Sequence, residues 1–279
     1  MIEPLLRDAA LLDDIRNAPG ELRLWWLGQS GFLLRYNNHF LLLDPYLSDS
    51  LTEKYAATGK PHVRMTARVI APERLVGLEV ITASHAHTDH LDAETLRPLL
   101  EANPQTRLIV PEAIRDLAAQ RAALEREVPI GLDAGGSVTV SDFVVHALPA
   151  AHNELDRDAA GRHLYLGYIV QCGAWTIYHS GDTLLYPGLA ERLREGSIDV
   201  ALLPINGNRP ERRVAGNLDG REAAQLAHAI GARWVIPCHY EMFEFNTANP
   251  GELFVPECER LGRAYRVLRA GEGWTVPPQ

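Results

Sequence analysis

Hydrophobic residues recur along the chain in two periods, and their order predicts the architecture. Short runs in which every residue or every second residue is apolar indicate strands, whereas apolar residues three and four positions apart indicate helices. The helices are predicted at Leu5–Arg16, Ala93–Asn103, Ala113–Leu124, Tyr186–Arg194, Arg221–Ile230 and Pro250–Leu261. The strands are predicted at Leu22–Leu27, Gly31–Tyr36, Phe40–Asp44, Glu79–Ala83, Arg107–Val110, Ser137–Val140, Phe143–Leu148, Leu164–Gln171, Trp175–His179, Val200–Pro204, Trp234–Pro237 and Arg266–Leu268.

The order of these elements favours two sheets over one. Strand runs alternate twice with strand–helix units, and a single sheet covered by helices would not need so many hairpins. No linker rich in Pro, Gly or Ser divides the chain. We therefore predict one α/β domain over residues 1–279, an αββα sandwich of two mixed β-sheets packed face to face. The long polar stretch Pro45–Pro72 is interpreted as a flap beside the site, with a surface excursion as the alternative.

Composition narrows the class of function. The 279 residues contain 27 Lys and Arg against 36 Asp and Glu, which gives a net charge of −9 and disfavours nucleic-acid binding. The first twenty residues are acidic among their apolar positions and do not resemble a secretion signal. No apolar run is long enough to span a membrane. The three cysteines have no CxxC spacing, so we expect reduced thiols and a cytoplasmic protein.

The densest chemistry lies in one loop between a predicted strand and a predicted helix. Between Ser84 and Asp92 it presents His85, His87, Asp89 and His90. Imidazole and carboxylate groups are the ligands expected of zinc and similar divalent ions. Histidines two positions apart can chelate one ion, and the adjacent Asp-His pair can point to a second ion. The alternative is a histidine-rich surface loop that binds nothing.

One loop cannot fill two coordination shells, and three further candidates follow other strands. His152 comes after the strand Phe143–Leu148, and Asp182 and His239 each follow a later strand in the same way. A lone histidine at such a place is more often structural. Three such residues together with the main loop, in this order, predict a metal centre at one rim of the fold.

The pattern H-x-H-x-D-H, a later His, S-G-D-T and a late His after a strand resembles the metallo-β-lactamase superfamily over nearly the whole chain. Within it, the sequence is similar to the branch that contains L-ascorbate-6-phosphate lactonase. The matching segments are Trp25–Gly28, His85–Asp92, Tyr178–Asp182, Ser197–Leu202 and Val235–His239. The resemblance implies the metallo-β-lactamase fold and two divalent ions, Zn or Mn.

The resemblance also implies a role for each ligand. It assigns the first ion to His85, His87 and His152, the second ion to Asp89, His90 and His239, and the bridging position to Asp182. Asp44 matches an aspartate that the superfamily places against the metal loop, where an acceptor fixes the orientation of a ligating ring. A turn residue at a strand end is the alternative for Asp44. His179 is either a similar supporting group or a packed histidine.

The implied activity is hydrolysis of a small ester or lactone, with a phosphorylated sugar lactone as one example. A hydroxide shared by the two ions attacks the substrate, and Asp89 and Asp182 are the candidate catalytic carboxylates. The second hypothesis is a phosphodiesterase, either phospholipase-D-like or acting on a cyclic nucleotide, because the same metal pair serves both reactions. The third is a non-catalytic metal-binding protein. A homo-oligomer is expected because members of the family commonly form one.

Candidates for substrate contact are fewer. We expect a small anionic substrate, and neither a nucleic acid nor a membrane as a partner. The segment 206–213 lies between two candidate ligands, so Asn206 could line the rim and Arg209 could bind a phosphate or carboxylate. Tyr186 and Tyr240 neighbour metal ligands and could donate hydrogen bonds to substrate. The alternatives are a solvated loop for the segment and core packing for the two tyrosines.

Overall fold

Two β-sheets form the centre of the protein in the computed structural model, which describes residues 1–278. The strands are β1 Leu22–Gly28, β2 Gly31–Tyr36, β3 His39–Leu43, β4 Leu78–Thr82, β5 Arg107–Pro111, β6 Ile130–Leu132, β7 Ser137–Val140, β8 Phe143–Pro149, β9 Leu166–Cys172, β10 Trp175–His179, β11 Val200–Pro204, β12 Trp234–Cys238 and β13 Gly273–Thr275. The α-helices are α1 Asp8–Asn17, α2 Ser50–Tyr55, α3 Ala93–Ala102, α4 Arg115–Ala122, α5 Leu189–Arg194, α6 Gly220–Ala229 and α7 Phe254–Leu261.

Both sheets are mixed. The first has the order β13-β1-β2-β3-β4-β5-β6, antiparallel from β13 to β3 and parallel from β3 to β6. The second has the order β12-β11-β10-β9-β8-β7, parallel from β12 to β10 and antiparallel onward. Strands β8, β10, β11 and β12 therefore run in one direction, and their carboxyl ends lie along one edge of the second sheet.

The two sheets share one hydrophobic core. Buried residues of both belong to a single cluster that includes Trp25, Leu42 and Tyr178. The sheets are also joined by hydrogen bonds, because the hydroxyl of Tyr168 donates to the carbonyl of Ala83 over 3.0 Å. Helix α4 packs against β5, and α6 packs against β11 and β12. The predicted sandwich of two mixed sheets with helices is confirmed.

Most predicted elements are present, with boundaries shifted by a few residues. Asn37 closes the hairpin between β2 and β3 with φ +53°, a conformation that asparagine tolerates. The predicted strand Arg266–Leu268 is wrong. At that place the backbone makes one isolated bridge, between Tyr265 and Val235, while β13 further on pairs with β1. Helix α2 and strand β6 were not predicted, because each is too short to show a period.

The structure also bears on the cysteines and on the apolar character of the helices. All three cysteines are buried and unpaired within the described residues 1–278. Over the same range, no helix combines the length and the apolar character that crossing a membrane requires.

Gly181 occupies a position that no other residue fits without displacement. It has φ +59°, and an added Cβ would lie 2.7 Å from both the carbonyl oxygen of Leu166 and the Cβ of Ser84. We expect Gly181→Ala to lower the free energy of unfolding by about 1–2 kcal/mol for the left-handed backbone and by about 1–3 kcal/mol more for overpacking. Urea unfolding measures both.

Gly161→Ala is the matched control, because Gly161 has φ +81° and nothing within 4 Å of an added Cβ. That variant should show the backbone cost alone. Equal losses of stability in the two variants would contradict the packing argument.

Candidate metal centre

Loops from both sheets meet at one edge of the sandwich. The loop after β4 contributes His85, His87, Asp89 and His90. The loops after β8, β10 and β12 contribute His152, Asp182 and His239, respectively. Because these strands end at the same edge, residues distant in the sequence become neighbours. The structure thus brings all seven predicted ligands into one cluster.

The first group of donor atoms consists of three imidazoles and one carboxylate. Nε2 of His85 lies 3.0 Å from Nδ1 of His87, which lies 3.2 Å from Nε2 of His152. Oδ2 of Asp182 lies 3.6 Å from the same nitrogen of His152. A tetrahedral ion with bonds of about 2.1 Å places its donors about 3.4 Å apart. The spacing of this group fits a transition metal.

The second group contains two carboxylates and two imidazoles. Nε2 of His90 lies 3.7 Å from Oδ2 of Asp89 and 3.4 Å from Oδ1 of Asp182. Nε2 of His239 lies 3.6 Å from Oδ2 of Asp89 and 3.3 Å from Oδ2 of Asp182. Asp182 therefore contacts both groups, and one of its oxygens lies between His152 and His239.

Unpaired atoms show that the cluster suits a cation. Nε2 of His90 and Oδ1 of Asp182 are buried and have no hydrogen-bond partner among residues 1–278. A buried polar atom without a partner is costly. Both atoms present lone pairs to the centre of the cluster when the imidazole is neutral, so a bound cation would satisfy them together. The residues present therefore fit a metal.

The charges of the cluster point the same way. Burial by itself would raise the pKa of Asp182, but His239 and His90 hold it well below its usual range. Burial would lower the pKa of His90, yet Asp182 and Asp89 hold it well above. Burial would also lower the pKa of His239, but Asp182 raises it to about 9. In the absence of a cation these imidazoles retain protons, and metal binding replaces those protons.

Asp44 supports the ligand His90. Its carboxylate is fully buried, and Oδ2 accepts a hydrogen bond of 2.7 Å from Nδ1 of His90. The other oxygen accepts from the backbone N–H of Ser84 over 3.0 Å. This arrangement places the proton on Nδ1 and turns the Nε2 lone pair of His90 into the cluster. The predicted role of Asp44 agrees with this geometry.

His179 contacts the backbone of a neighbouring turn. Its Nε2 lies 2.9 Å from the carbonyl oxygen of Ser30, and its ring packs edge-on against Phe32. Of the two predicted alternatives, the geometry favours a histidine that braces the turn between β1 and β2.

A cavity of about 440 Å³ opens over the cluster. Its lining includes five of the seven candidate ligands together with residues that the sequence analysis did not name individually as site residues. These additional lining residues are Leu51, Lys54, Tyr55, His62, Ala86, Thr88, Arg121, Arg213, Val214, Ala215, Asn217, Phe243, Phe245 and Asn246. Lys54, Tyr55 and His62 belong to the predicted flap, so the stretch 45–72 does form part of the wall.

Three basic side chains in this wall, Lys54, Arg121 and Arg213, make no salt bridge within residues 1–278. Arg121 donates to the carbonyl oxygens of Ala86 and Leu91, over 2.5 and 3.1 Å. Lys54 lies 5.2 Å from the centre of the Tyr55 ring, and Arg213 is exposed. Lys54 lies in the predicted flap 45–72 and Arg213 in the predicted rim segment 206–213, whereas no motif in the sequence marks Arg121.

None of the four predicted substrate contacts is among the described residues that line this cavity. Tyr240 is buried, its hydroxyl donates to the carbonyl of Leu268, and its ring stacks on Trp26 at 4.3 Å. Tyr186 donates to the carbonyl of Pro149 over 2.6 Å.

The other two candidates face a different space. Asn206 is buried and donates to Asn246 over 3.0 Å. Arg209 is exposed and lines a neighbouring cavity of about 810 Å³, together with Asn206. Closeness in sequence to a metal ligand did not predict which cavity these side chains face.

Comparison with known proteins agrees with this geometry. The family model described as "Beta-lactamase superfamily domain" matches residues 39–240. A UPF0173 metal-dependent hydrolase of Opitutus terrae is 31% identical over 257 residues, covering 90% of this chain and 98% of the relative. An Escherichia coli protein named "Probable L-ascorbate-6-phosphate lactonase" is 25% identical over 267 residues, covering 85% of this chain and 75% of the relative.

A solved structure shares the fold. Igni18, a metallo hydrolase of the archaeon Ignicoccus hospitalis, superposes with a TM-score of 0.66 at 22% sequence identity, covering 92% of this chain and 99% of that one. The family model spans most of the chain, and the Opitutus relative matches it nearly end to end. The chain therefore belongs to the metallo-β-lactamase superfamily and, within it, to the UPF0173 metal-dependent hydrolases.

Proposed function

We propose that this hydrolase binds two divalent ions, Zn or Mn, and cleaves a small anionic ester or lactone. The observation that supports a pair of ions is the position of Asp182. Its Oδ2 lies 3.6 Å from His152 in one donor group and 3.3 Å from His239 in the other. A single carboxylate oxygen at ligand spacing from both groups is suited to bridge two ions.

The two carboxylates of the cluster differ in exposure, and this difference assigns them different roles. With the ions bound, a water of lowered pKa becomes available as nucleophile and the oxygen under attack meets positive charge. The side chain of Asp89 is 17% exposed, whereas that of Asp182 is 3% exposed. Asp89 therefore reaches the cavity, where it can accept a hydrogen bond from the attacking water and orient it toward the substrate.

The cavity wall favours an anionic substrate. Lys54, Arg121 and Arg213 bring unpaired positive charge to the cavity of a chain whose net charge is −9. Guanidinium groups match the geometry of carboxylate and phosphate oxygens. Arg213 is exposed, and none of its side-chain nitrogens has a hydrogen-bond partner within the described part of the chain. Arg213 is thus the group most available to an incoming anion.

The organic part of the substrate would meet an aromatic wall. His62 stacks on Tyr55 at 4.1 Å and meets Phe245 edge-on at 4.5 Å. Phe243 lies at the base of this group and is buried. Flat apolar faces beside basic groups suit a compact organic acid derivative. The lactonase among the relatives supports a carbonyl centre as the point of attack.

Metal analysis tests the ion pair. We expect wild-type protein reconstituted with Zn²⁺ or Mn²⁺ to contain about two ions per chain. Asp182→Ala should lose the second ion and most of the activity, because it removes the shared ligand. His87→Ala should retain one ion. His146→Ala is the control, because His146 lies in β8 and its ring hydrogen-bonds with Gln171 over 3.1 Å, outside the two donor groups.

A wild-type content of one ion or none would remove the basis of the proposal. Full activity in both Asp182→Ala and His87→Ala would do the same.

Substituting Arg213 tests the class of substrate. Arg213→Ala should raise KM for an anionic ester by about 10- to 100-fold, because a charge-assisted hydrogen bond contributes about 1.5–3 kcal/mol. The KM for a neutral ester of the same size should change little. Arg209→Ala is the matched control, since Arg209 belongs to the same loop but lines the other cavity. Equal effects on both esters would argue against anion binding.

A comparison of substrates separates the two candidate reactions. We expect the metal-loaded protein to hydrolyse anionic lactones or esters with a higher kcat/KM than bis-p-nitrophenyl phosphate. The cavity of about 440 Å³ is of the size that holds one small molecule. A preference for the phosphodiester would overturn the ester proposal and favour the phosphodiesterase hypothesis.

A further inference from the structure

Gln29 reaches into the second donor group from a turn that the ligand motif does not include. Its Nε2 lies 2.7 Å from Oδ2 of Asp89 and 3.0 Å from Nε2 of His239. Both of these atoms belong to the second donor group. The side chain of Gln29 is fully buried, so solvent does not compete for its amide. The amide therefore occupies a position at ligand spacing from two ligand atoms.

The backbone holds the amide in this position. Gln29 has φ +50°, a left-handed conformation that a glutamine rarely adopts. Its carbonyl oxygen accepts from the backbone N–H of His239 over 2.9 Å and from the indole of Trp26 over 3.0 Å. The turn is thus fixed to the same residue whose ring its side chain contacts. A turn that served only to close a hairpin would more easily use glycine or asparagine here.

The amide oxygen is the unexplained atom. Oε1 of Gln29 is buried and has no hydrogen-bond partner among residues 1–278. Half a turn about the Cγ–Cδ bond exchanges Oε1 with Nε2, which places the oxygen beside Asp89 and His239. An amide oxygen there would repel the carboxylate unless a cation lay between them. With a cation bound, the amide oxygen and the carboxylate of Asp89 would both coordinate it and would no longer repel each other.

We propose that Gln29 is a ligand of the second ion through its amide oxygen. This inference rests on the proposed pair of ions. It gives the two sites different chemistry. The first site has three imidazoles and the shared Asp182. The second has two imidazoles, the shared Asp182, the carboxylate of Asp89 and the amide of Gln29. Oxygen-rich sites of higher coordination favour Mn²⁺, and imidazole-rich sites favour Zn²⁺.

Stepwise Mn²⁺ titration of the full-length apo protein, followed by electron paramagnetic resonance and metal analysis, tests this assignment without an activity assay. Gln29→Leu removes the amide at similar size and should weaken one of the two binding steps by about 10- to 100-fold. Gln29→Glu keeps an oxygen donor and should preserve both steps. Gln171→Leu makes the same chemical change at the exposed Gln171 of β9 and should behave as wild type.

A second variant guards against misfolding. Asparagine tolerates the left-handed conformation better than glutamine, but its amide is one methylene shorter. Gln29→Asn should therefore fold at least as well as wild type and still lose the same step as Gln29→Leu. His87→Ala lacks the first site. If Gln29→Leu still weakens Mn²⁺ binding in the His87→Ala background, the affected binding step belongs to the second site.

Several results would overturn the assignment. Wild-type binding of both ions by Gln29→Leu and Gln29→Asn would exclude a ligand role. Loss of the step in Gln29→Glu as well would show that the amide acts as an N–H donor to Asp89. If wild-type protein binds only one Mn²⁺, the failure lies with the proposed pair of ions, and the assignment of Gln29 to a second ion falls with it.

Discussion

The buried carboxylate of Asp182 is the constraint on which the rest of the site depends. An ionised carboxylate removed from water is very unfavourable unless opposite charge or hydrogen bonds compensate for it. Here the compensation comes from imidazoles on loops of both sheets. It is incomplete, because Oδ1 of Asp182 accepts no hydrogen bond among the described residues and lies 3.4 Å from Nε2 of His90. The arrangement is therefore prepared for cations, which satisfy the carboxylate and the imidazoles at the same time.

Holding this cluster requires backbone conformations that the chain would not otherwise adopt. Gln29, Asp44 and His239 all have positive φ, at +50°, +38° and +62°. Such conformations each cost on the order of 1–3 kcal/mol and persist only where surrounding contacts determine them. Such contacts are present here. The backbone N–H of His239 donates a hydrogen bond to the carbonyl of Gln29, and the backbone N–H of Ser84 donates one to the carboxylate of Asp44. The strain is concentrated where side chains must converge.

Charge is distributed unevenly around the cluster. The chain is acidic as a whole, yet the carboxylates that line the metal cavity are the candidate ligands Asp89 and Asp182. The basic residues of the wall come from α2, α4 and the loop before α6, and they face the same space. Basic side chains around a cavity attract anions, while an acidic chain repels large polyanions. This distribution of charge supports the proposal of a small anionic substrate.

The sequence by itself determined the two-sheet class, most of the strands and the identity of the seven clustered side chains. It could do so because strand periodicity is local and because each of those side chains follows the end of a strand. Only the tertiary structure decided which other groups meet them. Gln29 and Arg121 carry no local signal. Within the predicted rim segment 206–213, Arg213 lines the metal cavity whereas Asn206 and Arg209 line another, because closeness in sequence does not fix the direction of a side chain. That direction depends on packing between segments that are distant along the chain, which no short pattern records.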